Sequence, residues 1–172
     1  PEAIENGWLT ARNYGTRVVA IHPGSGSLGK NWPIEKYLAL ADRLRAEAEV
    51  TPVFTTGEAD DTIRARIGSA HPILPSCPLA ELASFLSACA AYVGNDSGVT
   101  HLAASLGIPV VAIFGPTDPG TWGPRSPLSH VVRAKIPTLE ALAEIPVDLV
   151  FRNLAEAIHP IRLRRKDSFA TQ

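Results

Sequence analysis

A chain of 172 residues, 45% of them hydrophobic and 19% charged, can bury one core of ordinary size and is too apolar to remain disordered. The net charge of −1 gives nucleic acid no electrostatic foothold, so no nucleic-acid partner is expected. Cys77 and Cys89 are the only cysteines and stand in no CxxC or His/Cys ligand spacing, which predicts reduced thiols in a cytoplasmic protein. No apolar run approaches membrane-spanning length. Arg162, Arg164, Arg165 and Lys166 form the one basic cluster. It reads as a solvated tail, with contact to an anionic membrane surface as the alternative. The chain opens on Pro1 and contains no methionine, so a fragment or a processed form is expected.

The pattern along the chain is strand, glycine-rich turn, helix, repeated. Val18-Val19-Ala20-Ile21 is a short β-branched run ending at His22-Pro23-Gly24, and it predicts a buried strand. From Ile34 to about Ala48 the spacing of Ile34, Tyr37, Leu38, Ala41 and Leu44 predicts an amphipathic helix, with Pro33 at its first position. A strand at Val53-Phe54-Thr55 follows, then a polar helix after Gly57 and a short strand at Pro72-Ile73-Leu74. The helix predicted from Leu79 to Cys89 turns Leu82, Phe85, Leu86 and Cys89 inward. Ala91-Tyr92-Val93 is a strand, Ser97 to Leu106 a helix stopped by Gly107, and Pro109 to Phe114 another strand. His130-Val131-Val132 reads as a last strand, and Val147, Val150, Phe151, Leu154 and Ile158 as the face of a closing helix.

Such alternation predicts an α/β, Rossmann-like domain whose parallel sheet carries helices on both faces. It is placed over residues 17–160, after an irregular start or interdomain connector (1–16) and before a basic polar tail (161–172). Ligands of such sheets bind at the carboxyl ends of the strands, where glycine-rich turns meet helix N-termini.

Two turns answer that description. In the first, from His22 to Pro33, Gly24, Gly26 and Gly29 let backbone N–H groups approach an anion. Ser25 and Ser27 add hydroxyls and Lys30 adds a full charge. Gly24, Gly26 and Gly29 spell GxGxxG, and Gly24, Gly29 and Lys30 spell GxxxxGK. A magnesium-binding P-loop, however, needs Ser or Thr where Asn31 stands, and both motifs need the helix to begin inside the glycine run, whereas Pro33 starts it later. Glu58 also lies late for the acidic residue that a dinucleotide motif wants. A phosphate cradle of another kind is the better reading, and a Gly-Ser loop without a ligand is the bland one.

The second turn, Val93-Gly94-Asn95-Asp96-Ser97-Gly98-Val99-Thr100-His101, carries the stronger signal. Asp96 or Ser97 can cap the helix, and the free N–H groups at Ser97, Gly98 and Val99 make an anion site by geometry and helix dipole. His101 falls one turn later, back toward Ser97. Taken singly, these residues could be caps and a packed histidine; their order at a strand end favours a site.

The run Asn95-Asp96-Ser97-Gly98-Val99-Thr100-His101-Leu102-Ala103-Ala104, followed by Gly107 to Pro119, resembles the ADP-heptose:lipopolysaccharide heptosyltransferases of glycosyltransferase family 9. The resemblance runs from about Val18 to Pro124 and includes His22-Pro23-Gly24, Lys30-Asn31-Trp32-Pro33 and Trp122-Gly123-Pro124. It implies the C-terminal, donor-binding half of a GT-B enzyme that transfers heptose from an ADP-sugar with inversion. The acceptor, a lipid-linked saccharide, and the catalytic base would belong to an N-terminal domain with no counterpart here.

Carried over by residue, the resemblance gives Lys30 the departing diphosphate, Ser25, Gly26 and Ser27 the neighbourhood of the phosphates, and Glu58 the ribose hydroxyls. Cys77 would line the base pocket through its backbone, and Asp96 would meet the sugar or its linkage. Ser97 and Gly98 would donate to phosphate oxygens, and His101 to phosphate or sugar. No cofactor and no metal are expected, since Asp60-Asp61 is not a DxD motif. The setting implied is the cytoplasm, with peripheral contact at the inner face of the inner membrane. Two alternatives stand: another GT-B enzyme such as a UDP-sugar transferase or epimerase, and a non-catalytic nucleotide-binding module.

Overall fold

The computed structural model describes residues 11–27, 31–57 and 60–167, with the backbone alone for 159–167. Five strands form a wholly parallel sheet: β1 (Val18–His22), β2 (Thr51–Phe54), β3 (Ala91–Asn95), β4 (Val110–Phe114) and β5 (Ser129–Arg133), in the order β2-β1-β3-β4-β5. Among the described residues, seven helices follow β1 along the chain: α1 (Ile34–Glu47), α2 (Asp61–Ile67), α3 (Leu79–Ser87), α4 (Gly98–Ser105), α5 (Pro119–Trp122), α6 (Leu139–Glu144) and α7 (Val147–Asp167).

The period-2 alternation of the strands sorts their side chains onto two faces. Val19, Ile21, Val93, Val111 and Ile113 meet α1, α6 and α7 through Tyr37, Leu40, Leu44, Leu142, Val150 and Leu154. Val18, Ala20, Tyr92, Val110, Ala112 and Phe114 meet α3 and α4 through Phe85, Leu86, Ala103 and Ala104. β1, β3 and β4 are buried from end to end, as their apolar runs require in a doubly covered sheet, with polar His22 and Asn95 only at the carboxyl ends of β1 and β3. β5 is an edge strand and fully buries only Val132.

The chain winds outward in one direction from β1 to β2 and in the other from β3 to β5. The order therefore reverses between β1 and β3, whose register sets His22 beside Gly94. A crevice opens outside the strand ends at such a switch point. The two turns singled out in the sequence are the two that flank it.

Several sequence expectations shift. Pro72-Ile73-Leu74 makes only an isolated parallel bridge, Phe54 with Ile73. Pro72 and Pro75 lack the N–H groups that a longer ladder needs. Pro33 precedes α1 rather than starting it, and Leu40 belongs to its buried face. α4 begins at Gly98 because Ser97 is its cap, and it ends where Gly107 takes φ +74°. α5 and α6 were not anticipated. α7 runs through Asp167, so residues 161–167, expected as a polar tail, continue a helix. Within the expected connector, Ala11 is buried and Tyr14 packs edge-on to Phe85, with ring centroids 6.2 Å apart.

Candidate functional site

The crevice is organised by Asn95, fully buried at the end of β3. Its Oδ1 accepts from the Trp32 backbone N–H and from the Tyr37 hydroxyl, each at 2.9 Å. Its Nδ2 donates to the Pro23 carbonyl at 2.8 Å. One amide thus fastens both ends of the first turn to the second. Trp32 completes the anchor: its indole N–H donates to the Ile145 carbonyl at 3.1 Å, and its ring meets Tyr37 edge-on at 4.9 Å. Burial raises the Tyr37 hydroxyl well above its ordinary pKa, so it stays a donor.

The turn after β2 is braced as well. The Asp60 carboxylate accepts from the Gly57 N–H at 2.7 Å and occupies the space where any side chain at Gly24 would project. Glycine at 24 is what allows that approach. Arg64 donates to the Thr56 hydroxyl and to the Gly57 carbonyl. His22 is buried, and its Nδ1 lies 3.0 Å from the Thr55 carbonyl, which can only accept, so Nδ1 carries the proton. Burial lowers the pKa of His22, against the Thr55 bond and the nearby Asp60, which raise it. It stands neutral at the end of β1, bonded to the turn after β2.

At the second turn Ser97 is the cap of α4: its Oγ accepts from the Thr100 N–H at 3.4 Å. The Thr100 hydroxyl donates to the Asn95 carbonyl and accepts from Tyr92 at 3.0 Å. Burial raises the pKa of Tyr92, which keeps its proton for that bond. The Gly98 and Val99 N–H groups have no acceptor among the described residues. They remain available to an anion at the positive end of the helix. Asp96 is held by the Thr117 hydroxyl, which donates to its Oδ2 at 2.8 Å.

An open cleft of about 610 Å³ joins these parts. Gly26 and Ser27 reach it from the first turn, and Asp96, Ser97 and Gly98 from the second. His101 comes from the first turn of α4, and Thr117 and Trp122 from the segment after β4. Ser25 is not in the lining; its hydroxyl closes the turn internally by donating to the Ser27 carbonyl at 2.7 Å. Cys77 is not in the lining either. It is half-buried beside α3, and desolvation, then Glu81, pushes its thiol pKa up. Lys30 and Glu58 lie outside the described residues.

Asn95, Thr117 and Trp122 escaped the candidate set, although all three stand in or beside the motifs quoted above. A polar residue closing an apolar strand run was the available signal for Asn95. Trp122 had none beyond its place in Trp122-Gly123-Pro124.

Fold and cleft together define a Rossmann-like α/β domain with an anion-receptive crevice at its switch point. The profile of glycosyltransferase family 9 (heptosyltransferase) matches residues 6–145, and the chain belongs to that family. It is 28% identical over 148 residues to lipopolysaccharide heptosyltransferase 2 of Salmonella typhimurium, covering 77% of this chain and 42% of that one. It is 34% identical over 109 residues to lipopolysaccharide heptosyltransferase 1 of Pseudomonas aeruginosa, covering 62% and 30%. The solved structure of E. coli ADP-heptose lps heptosyltransferase II superposes with a TM-score of 0.79 at 25% identity, over 92% of this chain and 53% of that one. An E. coli heptosyltransferase solved with ADP gives 0.74 at 25% identity, over 87% and 47%. The chain therefore spans between about a third and a half of the length of these relatives. No described helix is long and apolar enough to cross a membrane.

Proposed function

We propose that this chain is the donor-binding half of an inverting heptosyltransferase of lipopolysaccharide core assembly, and that the cleft between the two turns receives an ADP-heptose-type nucleotide-sugar. The observation that carries the reading is the junction of the unbonded N–H group of Gly98, Ser97, His101 and Asp96 in one cleft at the switch point, with the Val99 N–H next along the same helix turn. Diphosphate charge meets the helix N-terminus there, and Lys30 neutralises what develops as the sugar leaves. Gly26 and Ser27 shape the phosphate side, Ser25 sets their turn through its bond to the Ser27 carbonyl, Glu58 takes the ribose hydroxyls, and Cys77, outside the lining of this cleft, borders the base where the donor extends beyond it. Asp96 and His101 face the sugar.

In the reaction the oxygen of an acceptor hydroxyl attacks the anomeric carbon from the side opposite the diphosphate. The anomeric C–O bond breaks, ADP departs, and the acceptor's proton passes to a base. Base and lipid-linked saccharide acceptor belong to a partner domain outside residues 17–160, facing this cleft from the N-terminal side of the chain. The work takes place in the cytoplasm, at the inner face of the inner membrane. Since protein donors meet the phosphates, no metal is required.

Calorimetry tests this directly. ADP binds equally well in excess EDTA and in magnesium, and more tightly than UDP, GDP or NAD. Lys30→Ala weakens ADP binding by about 1.5–3 kcal/mol, the range of a charge-assisted hydrogen bond, without loss of fold. Strict magnesium dependence, or tighter binding of NAD or UDP, would overturn the reading.

A further inference from the structure

Trp122 is a large aromatic side chain left 61% exposed, yet its backbone is fixed on all sides. α5 is a single turn that Pro119 enters at its start. The Trp122 N–H donates to the Asp118 carbonyl at 2.9 Å and the Gly123 N–H to the Pro119 carbonyl at 2.8 Å. Asp118 itself pairs with Arg133 of β5 at 3.5 Å and accepts from the Thr121 hydroxyl. A side chain at Gly123 would collide with the Pro119 carbonyl, so glycine is needed for the turn to close this tightly. The segment is thus a stiff pedestal tied to the edge strand.

Its position gives the pedestal a purpose. Trp122 borders the main cleft together with Asp96 and His101, and it also borders an adjoining recess of about 330 Å³ whose lining includes Arg125. His101 and Trp122 are the residues common to both cavities. A single exposed apolar residue is ordinary on a protein surface, but an aromatic side chain on a fixed backbone at the rim of a cleft that also holds Asp96 and His101 is what a sugar ring needs. One face of a pyranose is a patch of C–H groups carrying slight positive charge, and the indole face carries the negative lobe of its quadrupole. The hydroxyls around the ring rim meanwhile need acceptors, and Asp96 Oδ1 has none of the Thr117 bond that occupies Oδ2.

We infer that the Trp122 indole is the platform on which the glycosyl ring of the bound nucleotide-sugar stacks, opposite Asp96. This rests on the donor-binding reading above and adds to it the group that distinguishes a sugar-bearing nucleotide from the bare nucleotide. Trp122 touches substrate without touching the phosphates, so it sets the preference for the sugar and leaves the affinity for ADP alone.

The experiment is a calorimetric comparison of ADP and ADP-heptose on the wild-type chain, Trp122→Ala and Trp122→Phe. Thermal melts accompany it; an exposed side chain leaves them unmoved. Wild type prefers ADP-heptose over ADP by about three- to tenfold, the contribution of one aromatic stack. Trp122→Ala reduces that preference to near one while ADP affinity stays within twofold, and Trp122→Phe keeps most of the preference. The inference is overturned if the preference survives in Trp122→Ala, if both ligands weaken equally, or if wild type shows no preference. Wild type that fails to bind ADP at all overturns the functional reading itself, a result distinct from the other three.

Discussion

At the scale of single residues, Asn95 holds the most consequential position in the molecule. Replacing it with Ala leaves the Trp32 N–H, the Tyr37 hydroxyl and the Pro23 carbonyl without their partner in a buried place. Each orphaned group costs about 1–3 kcal/mol, so Asn95→Ala is expected to lose about 3–5 kcal/mol in urea unfolding. Tyr37→Phe removes one bond and no packing, and about 1 kcal/mol is expected. Comparable losses for the two variants would show that Asn95 is not the common partner. The sequence presented Asn95 inside its most informative motif yet gave no clue to this role, because its partners lie 58, 63 and 72 positions away in the chain. Ser97 is the opposite case: a cap bonds within its own turn, and its place could be read from local chemistry. Ser25 shows the limit of that local reading. Its hydroxyl was expected at the ligand and is spent on the carbonyl two residues on.

Among the elements, legibility followed burial. β1, β3 and β4 were evident because a strand covered on both faces is apolar along most of its length, and short β-branched runs bounded by Gly and Pro favour a strand over a helix. α5 and α6, of four and six residues, are too short for helical periodicity to register. α7 was legible over the stretch where Val150, Phe151, Leu154 and Ile158 pack on the sheet. It also clamps α1, where Arg43 lies 4.0 Å from the Phe151 ring centroid and pairs with Asp148. This predicts unequal tolerance to truncation. Leu154→Ala, in a fully buried position, costs about 2–4 kcal/mol in chemical denaturation. Val131→Ala, on the exposed part of edge strand β5, changes stability by no more than about 0.5 kcal/mol. A large loss at Val131 would mean that β5 is covered in solution by something beyond this chain.

For the whole molecule, two buried imidazoles couple stability to pH. His22 donates to the Thr55 carbonyl at the mouth of the crevice. His71 accepts from Arg45 at 3.0 Å and packs against Phe54, with Asp42 at 3.5 Å. Burial is the first cause that lowers both pKa values. Thr55 and Asp60 oppose it at His22, Asp42 opposes it at His71, and Arg45 reinforces it there. The unfolded chain takes up protons on these groups near the ordinary histidine value of about 6.5, while the folded chain resists until lower pH. Their contribution is therefore complete above about pH 6.5 and is lost as pH falls from there through the folded-state values. Asp148, held below the usual carboxylate range first by Arg43 and then by Arg152, adds its own loss only at more acidic pH. The urea midpoint is expected to be flat from pH 8 to 7 and to fall between pH 6.5 and 5.5, with an unchanged denaturant slope. His71→Gln shallows that fall, and combining it with His22→Gln removes most of it. A midpoint that holds steady down to pH 5.5 in the wild-type chain would mean that both imidazoles accept a proton without leaving their sites.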